Sequence, residues 1–284
     1  MSQIPNVVFL GAGQMAEALM RGILTAGLLG PQQLLGSDVR SSRLEYLASE
    51  LGVLVSADNK QAVSQGGVIF LSVKPQDVDA LLKEVAPSLR RDQLIVSIAA
   101  GVPIAHVEAM LFDRQPVIRV MPNTPCLVRQ GMAVLSAGTY ATTEHVEIVQ
   151  SILGAVGKAI VLPEKYMDAV TGLSGSGPAF VSLIVDALSD AGVRVGLPRD
   201  VANVLSVQTV LGTAHMLSET GEHPARLKEM VTSPGGTAIA GVHALERGGV
   251  RAAIMDAIFA ATSRSRELGR AQNPKEPSHR HEDE

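Results

Sequence analysis

Four apolar residues in a row, Val7 to Leu10, run straight into Gly11-Ala12-Gly13-Gln14-Met15-Ala16. An uninterrupted run of that length fits a strand covered on both faces. From Met15 the apolar positions take helical spacing through Ala18, Leu19, Gly22 and Ile23, which predicts a helix packed back onto that strand. The alternation continues along the chain. Strands are expected at 33–37, 53–55, 68–73, 94–98 and 117–120, and helices at 43–51, at about 76–86 and just before Val117. An apolar stretch at 132–135, a helix over 144–153 and a strand at 159–161 complete this half.

Strands alternating with helices predict an α/β fold with a Rossmann-like, doubly wound parallel sheet. The texture then changes near Leu162-Pro163. From about 164 to 268 the pattern is helical throughout, so the expected domains are 1–162, an all-α domain over 163–270, and a polar, Pro-containing tail over 271–284 expected to be disordered. The segments 179–191 and 199–218 are apolar on most faces, which requires cover on all sides. A helical domain of this size can hardly hide both, so a tight homodimer is expected through this half. A membrane span is rejected because Asp186, Asp190, Arg194 and Arg199 interrupt the runs.

Composition narrows the classes. The chain has 284 residues, 46% apolar and 18% charged, which excludes a disordered or fibrous protein. A net charge of -4, 3% aromatics and no Trp leave neither a basic field nor stacking platforms, so no nucleic-acid partner is expected. Cys126 is the one cysteine; it excludes an internal disulfide framework and suits a reducing compartment. It reads as a packed residue, since no His lies near it in sequence. The opening apolar run is too short for the core of a signal peptide, so a cytosolic address is expected. The seven His are scattered and no His/Cys cluster has metal-ligand spacing, so no metal is expected.

The chemistry starts at the first turn. In Gly11-x-Gly13-x-x-Ala16 the first glycine permits a tight turn, the second lets the backbone approach a pyrophosphate, and the small Ala16 lets helix and strand pack closely. Free N–H groups of Gln14 and Met15 at the helix start then meet the phosphates. Ligands of such sheets lie beyond the C-terminal strand ends. The cofactor-binding candidates are therefore Gly11, Ala12, Gly13, Gln14 and Met15, with Ser37, Asp38, Arg40, Asn59, Ser72, Val73, Lys74, Pro75, Ala99, Ala100, Asn123 and Thr124 on the rim. Asp38, 22 positions after Ala16, stands where an acid binds the ribose 2'-hydroxyl of NAD. Arg40, Ser41 and Arg43 could instead receive a 2'-phosphate, and Asp38 and Ser41 could simply cap the next helix. NADH and NADPH both stay open. Asn59 has a capping role as its alternative.

Two glycine-serine stretches interrupt the helical half, Thr171 to Pro178 and Val231 to Ala238. Each can open a helix with several unpaired N–H groups, a nest that binds a carboxylate without arginine. Each could equally be an ordinary capped loop; two beside a dinucleotide domain suggest a small anionic substrate.

The GAGQMA at Gly11, the VKP at Val73, the SIAAG at Ser97, the MPNTP at Met121, the GLSGSGPAF at Gly172, the GEHP at Gly221 and the SPGGT at Ser233 together resemble pyrroline-5-carboxylate reductase. The likeness runs from about residue 6 to 268. It implies hydride transfer from NADPH or NADH to the C=N carbon of 1-pyrroline-5-carboxylate, giving L-proline as the last step of proline biosynthesis. It implies dimers with intertwined helical domains, often assembled into rings such as decamers. It implies a substrate carboxylate held by the N–H groups of Gly235, Gly236 and Thr237, with Ser176 and Thr171 orienting ring or cofactor, and Glu164, from the same or the partner subunit, beside the substrate, where its charge would favour an iminium. Glu164 also reads as an ordinary helix-start acid. One departure stands out. Relatives usually carry a hydroxyl at the position of Ala238, where it can hydrogen-bond the ring nitrogen; water or Thr237 would have to replace it. A β-hydroxyacid dehydrogenase would share the architecture, but the lysine it needs is missing from 172–180, and a cofactor sensor without activity would leave the second nest unexplained.

Overall fold

A computed structural model describes residues 4 to 272. Its first half runs β1 (Val7–Leu10), α1 (Gln14–Thr25), β2 (Leu34–Ser37), α2 (Ser41–Leu51), β3 (Leu54–Ser56), α3 (Asn59–Ser64), β4 (Val68–Leu71), α4 (Val78–Val85), β5 (Leu94–Ser97), α5 (Ile104–Ala109), β6 (Val117–Met121), β7 (Gly131–Ala137), α6 (Thr143–Gly154) and β8 (Gly157–Val161). The second half is helical: α7 (Met167–Val170), α8 (Gly177–Arg194), α9 (Arg199–Thr220), α10 (Pro224–Met230), α11 (Thr237–Arg247) and α12 (Val250–Gln272). The described residues up to Gly175, together with those from Ala261 on, form one compact unit, and Ser176–Ala260 form a second. Beyond α12, the expected tail lies outside the described residues.

The eight strands form one sheet in the order β3-β2-β1-β4-β5-β6-β7-β8. All neighbours are parallel except β6 and β7, which pair antiparallel. That exception departs from a wholly parallel sheet for a simple reason. The connection from Met121 to Gly131 is shorter than the roughly dozen residues a parallel crossover needs, so the chain can only turn back. Strand and helix starts shift slightly from the sequence expectation where proline intervenes. Pro31 begins a 3-10 turn ahead of β2, and Pro75 begins another, so that α4 opens only at Val78.

Side-chain alternation sorts the strands onto two faces. Val7, Phe9, Phe70, Val96 and Ile118 join Leu19 and Ile23 of α1 and Ile152 of α6 on one side. Val8, Leu10, Ile69, Leu71 and Ile95 meet Val63 of α3, Leu82 of α4 and Val107 of α5 on the other. Phe9 and Phe70 stack at 4.8 Å across the β1–β4 pair. Burial on both faces explains the continuous apolar runs, each large side chain contributing about 1.5–3 kcal/mol.

In the second unit the picture inverts. α8 and α9 leave Leu183 69%, Val204 68% and Leu211 57% exposed, and α12 does the same with Met255 and Phe259. The cover that the sequence demands for these helices is therefore not supplied by the described residues of one chain. The helical run Glu164–Arg194 is long and apolar enough, by length and composition only, to cross a membrane.

Candidate active site

β1 lies where the strand order reverses, between β2 on one side and β4 on the other. The crevice beyond its end is the place such sheets bind ligands. Gly11 takes φ +89, and a Cβ there would sit 2.8 Å from the carbonyl oxygen of Ser72. Only glycine fits. Gly13 is the N-cap of α1 and offers no side-chain cap, while nothing lies within 4 Å of where its Cβ would be. Ala16 is fully buried against the sheet. The first N–H groups of α1 thus face an open cradle. Two buried hydroxyls at the strand ends, Ser72 Oγ after β4 and Ser97 Oγ at the end of β5, have no hydrogen-bond partner among the described residues. Unpaired buried polar groups are costly, and here they border the cradle's own strands. These features fit a dinucleotide cofactor.

Asp38 follows β2 and reaches back to the glycine turn. Its Oδ2 accepts from the Ala12 amide at 3.1 Å, and Oδ1 accepts from the Arg40 amide at 3.0 Å. Arg40 adds a two-pronged contact, Nε to Oδ1 at 3.0 Å and a terminal nitrogen to Oδ2 at 3.2 Å. Burial pushes the carboxyl pKa up, but the Arg40 guanidinium and the two amides outweigh it and hold Asp38 below its usual range. The capping reading of Asp38 and Ser41 is corrected: the N-cap of α2 is Arg40, with no side-chain cap. Arg43 is also occupied. Its guanidinium donates to the carbonyls of Ala12 at 2.5 Å and Gly13 at 3.2 Å and to Glu17 at 2.5 Å. Asn59 is not a cap either, because Asp58 takes that role by accepting from Lys60 and Gln61. The Asn59 side chain instead accepts from Ser37 Oγ at 2.8 Å and donates to Glu84.

Further along the rim, Lys74 precedes the 3-10 turn of Pro75, and Ala99 and Ala100 lead into Gly101 at φ +77. Asn123 bridges two segments: its Oδ1 accepts from the Met132 amide at 2.8 Å and its Nδ2 donates to the Ser174 carbonyl at 3.1 Å. Thr124 opens a 3-10 segment through Val128 that buries Cys126, whose thiol pKa burial pushes up. Glu164 Oε1 accepts from the Ile104 amide at 2.7 Å and from Arg119 at 3.0 Å, leaving Oε2 without a hydrogen bond among the described residues. No sequence signal pointed to Arg119, since a single arginine inside an apolar strand gives no hint of its partner 45 residues on.

The two glycine-serine stretches behave differently. Thr171–Gly175 does not open a helix; it is a π-helical turn between α7 and α8, and Ser176 keeps right-handed helical angles. Its amides are drawn into a helical run, which removes the expected nest. The other stretch does open a helix within its own unit. Gly235 takes φ +67, Gly236 caps α11 without a side-chain bond, and Thr237 is the first helical residue. The Gly236 amide donates to the Ser233 carbonyl at 3.1 Å, while the leading amides of α11 have no partner among the described residues. Ala238 is the second residue of that helix and supplies no hydroxyl.

A mostly parallel sheet with an uncapped glycine turn at its switch point, followed by a helical region, is the architecture of a dinucleotide-binding oxidoreductase. Comparison with known proteins makes this specific. Residues 6–101 match the family profile "NADP oxidoreductase coenzyme F420-dependent", and residues 164–268 match "Pyrroline-5-carboxylate reductase dimerisation". The pyrroline-5-carboxylate reductase of Methanosarcina acetivorans is 45% identical over 93% of this chain and 98% of its own length. That of Arabidopsis thaliana is 45% identical over 94% and 96%. Among solved structures, the enzyme of Coxiella burnetii superposes with a TM-score of 0.88 at 34% identity, covering 93% of this chain and 98% of that one. The Plasmodium falciparum pyrroline carboxylate reductase with NADP bound gives 0.84 at 30% identity, covering 94% and 99%. The chain belongs to the pyrroline-5-carboxylate reductase family.

Proposed function

We propose that this chain reduces 1-pyrroline-5-carboxylate to L-proline with NADH or NADPH. The nicotinamide supplies the hydride that adds to the C=N carbon, and a proton completes the secondary amine at nitrogen. An imine is easily protonated, so the protein needs no nucleophile; it has to position two reactants and exclude wrong geometries. The residues of the glycine turn and the strand-end rim hold the dinucleotide. The carboxylate of the substrate is held by the amides of Gly235, Gly236 and Thr237, at the positive end of α11. The observation that carries this reading is that α11 starts uncapped behind Gly235 at φ +67 in a chain of this family.

Proton chemistry in this proposal falls to Glu164, supplied by this chain or by a second copy, and to Thr237. Oε2 of Glu164 is free to favour a positive ring nitrogen, and the Thr237 hydroxyl or a water takes the part that Ala238 cannot play. Ser176 orients the ring. The active assembly is a homodimer closed through the exposed faces of α8 and α9, which supplies the cover that the described residues of a single chain lack; the boundary expected near residue 162 falls ahead of the break after Gly175 between the two compact units. A cytosolic, reducing setting suits the free thiol of Cys126. The test is direct. Oxidation of NADH or NADPH that depends on 1-pyrroline-5-carboxylate and yields L-proline in equal amount is expected. Cofactor binding without such turnover, or turnover with 2-hydroxy or 3-hydroxy acids instead, would overturn the proposal.

A further inference from the structure

The end of β2 carries information about which dinucleotide the enzyme uses. The Asp38 side chain is only 8% exposed, and its two oxygens already accept four N–H bonds, from Ala12, from the Arg40 amide and from two guanidinium nitrogens of Arg40. A carboxylate offers about four acceptor sites, so this one is full. The Ala12 and Arg40 amides are fixed by the turn and by the start of α2. The Arg40 guanidinium belongs to a side chain that is 63% exposed, so it is the partner that can leave. A ribose 2'-hydroxyl can take its place as a donor. A 2'-phosphate cannot, because it brings negative charge and no compensating donor to a fixed carboxylate.

The two arginines beside this position do not reverse that balance. Arg43 is tied to the Ala12 and Gly13 carbonyls and to Glu17, and its side chain is 17% exposed. Glu17 is itself held by Arg21 as well as Arg43, so the cluster is closed on itself. Arg40 could reach a phosphate only by abandoning Asp38, which would leave two like charges side by side. We infer that Asp38 makes this enzyme prefer NADH over NADPH, with Arg40 as a removable clasp on the carboxylate that receives the ribose. The inference rests on the reductase reading above and sets the cofactor for that same site; it runs against the NADP named for the matched family profile and for the Plasmodium relative.

The experiment is calorimetric titration of the full-length protein with NADH and with NADPH, alongside kcat/KM for each with 1-pyrroline-5-carboxylate. The wild type is expected to favour NADH at least tenfold on both measures. Asp38→Asn keeps an acceptor for the Ala12 amide, removes the charge and frees Arg40. It is expected to tighten NADPH and lower the NADH preference at least tenfold. Adding Arg40→Ala to it should give back part of the NADPH gain, because the freed guanidinium then serves the phosphate. A wild type that favours NADPH, or an Asp38→Asn variant that weakens both cofactors equally with the ratio unchanged, would overturn the inference; the second result would make Asp38 a brace for the glycine turn. Binding without turnover, with the same ratio, would leave the selection standing and remove the reductase reading instead.

Discussion

At the scale of single residues, Gly11 is the position with the least freedom. Its φ of +89 strains any other residue, and the atom a side chain would strike is a backbone oxygen that cannot swing away. Gly11→Ala is expected to cost at least about 2 kcal/mol of stability, combining left-handed strain of about 1–2 kcal/mol with the clash. Urea denaturation reads the first effect, and a fall of tenfold or more in dinucleotide affinity reads the second. Asp38 makes a prediction with a sign. Its folded-state pKa is depressed, so its stabilising contribution is present above the unfolded value and is lost as pH falls through the folded one. The stability gap between wild type and Asp38→Asn should hold steady from neutral pH down to about 4 and shrink below it. A gap that opens toward acid would have the wrong sign. Ala238→Thr should raise kcat modestly; no gain would show that the hydroxyl is not a missing part of the proton route. The turn at Gly11 and Gly13 was legible because its geometry follows from local spacing. Where Arg43 points was not, since its partners Ala12 and Gly13 come together only once β1 and β2 pair.

Elements were legible to the degree that burial is uniform along them. β1, β4 and β5 are covered on both faces and announce themselves as unbroken apolar runs, whereas β3 is only half-buried and its bounds shift by a residue. The reversal of β7 follows from loop length, which the apolar pattern does not express. Thr171–Gly175 forms a π-helical turn in place of the expected helix-opening nest, although Gly and Ser disfavour helix interiors, because tertiary contacts override that tendency. Asn123 is one such contact, satisfying the Ser174 carbonyl from the β6–β7 connection. Asn123→Ala leaves that carbonyl and the Met132 amide without their partner and is expected to cost about 1–3 kcal/mol. A melting temperature equal to that of the wild type would show that water replaces both bonds freely.

At the scale of the whole molecule, the second unit is the informative half. A chain that exposes Leu183, Val204 and Leu211 together on two long helices is expected to depend on association for its stability. Leu183→Asp with Val204→Asp is expected to turn a dimer into a monomer or an unfolded subunit, read by light scattering on a sizing column; an unchanged dimer would place the interface elsewhere. Sequence texture predicted the need for cover because such helices are apolar all round, but which residues meet a second copy depends on a surface no single chain contains.

In the proposed reaction main-chain amides, in place of a charged side chain, hold the substrate's acid group. A crystal structure of the dimer with L-proline and the oxidised dinucleotide measures this outright. The proline carboxylate oxygens are expected about 2.7–3.1 Å from the amide nitrogens of Gly235, Gly236 or Thr237. A carboxylate seated on an arginine, or proline anywhere away from the Ser233 to Thr237 turn, would contradict it.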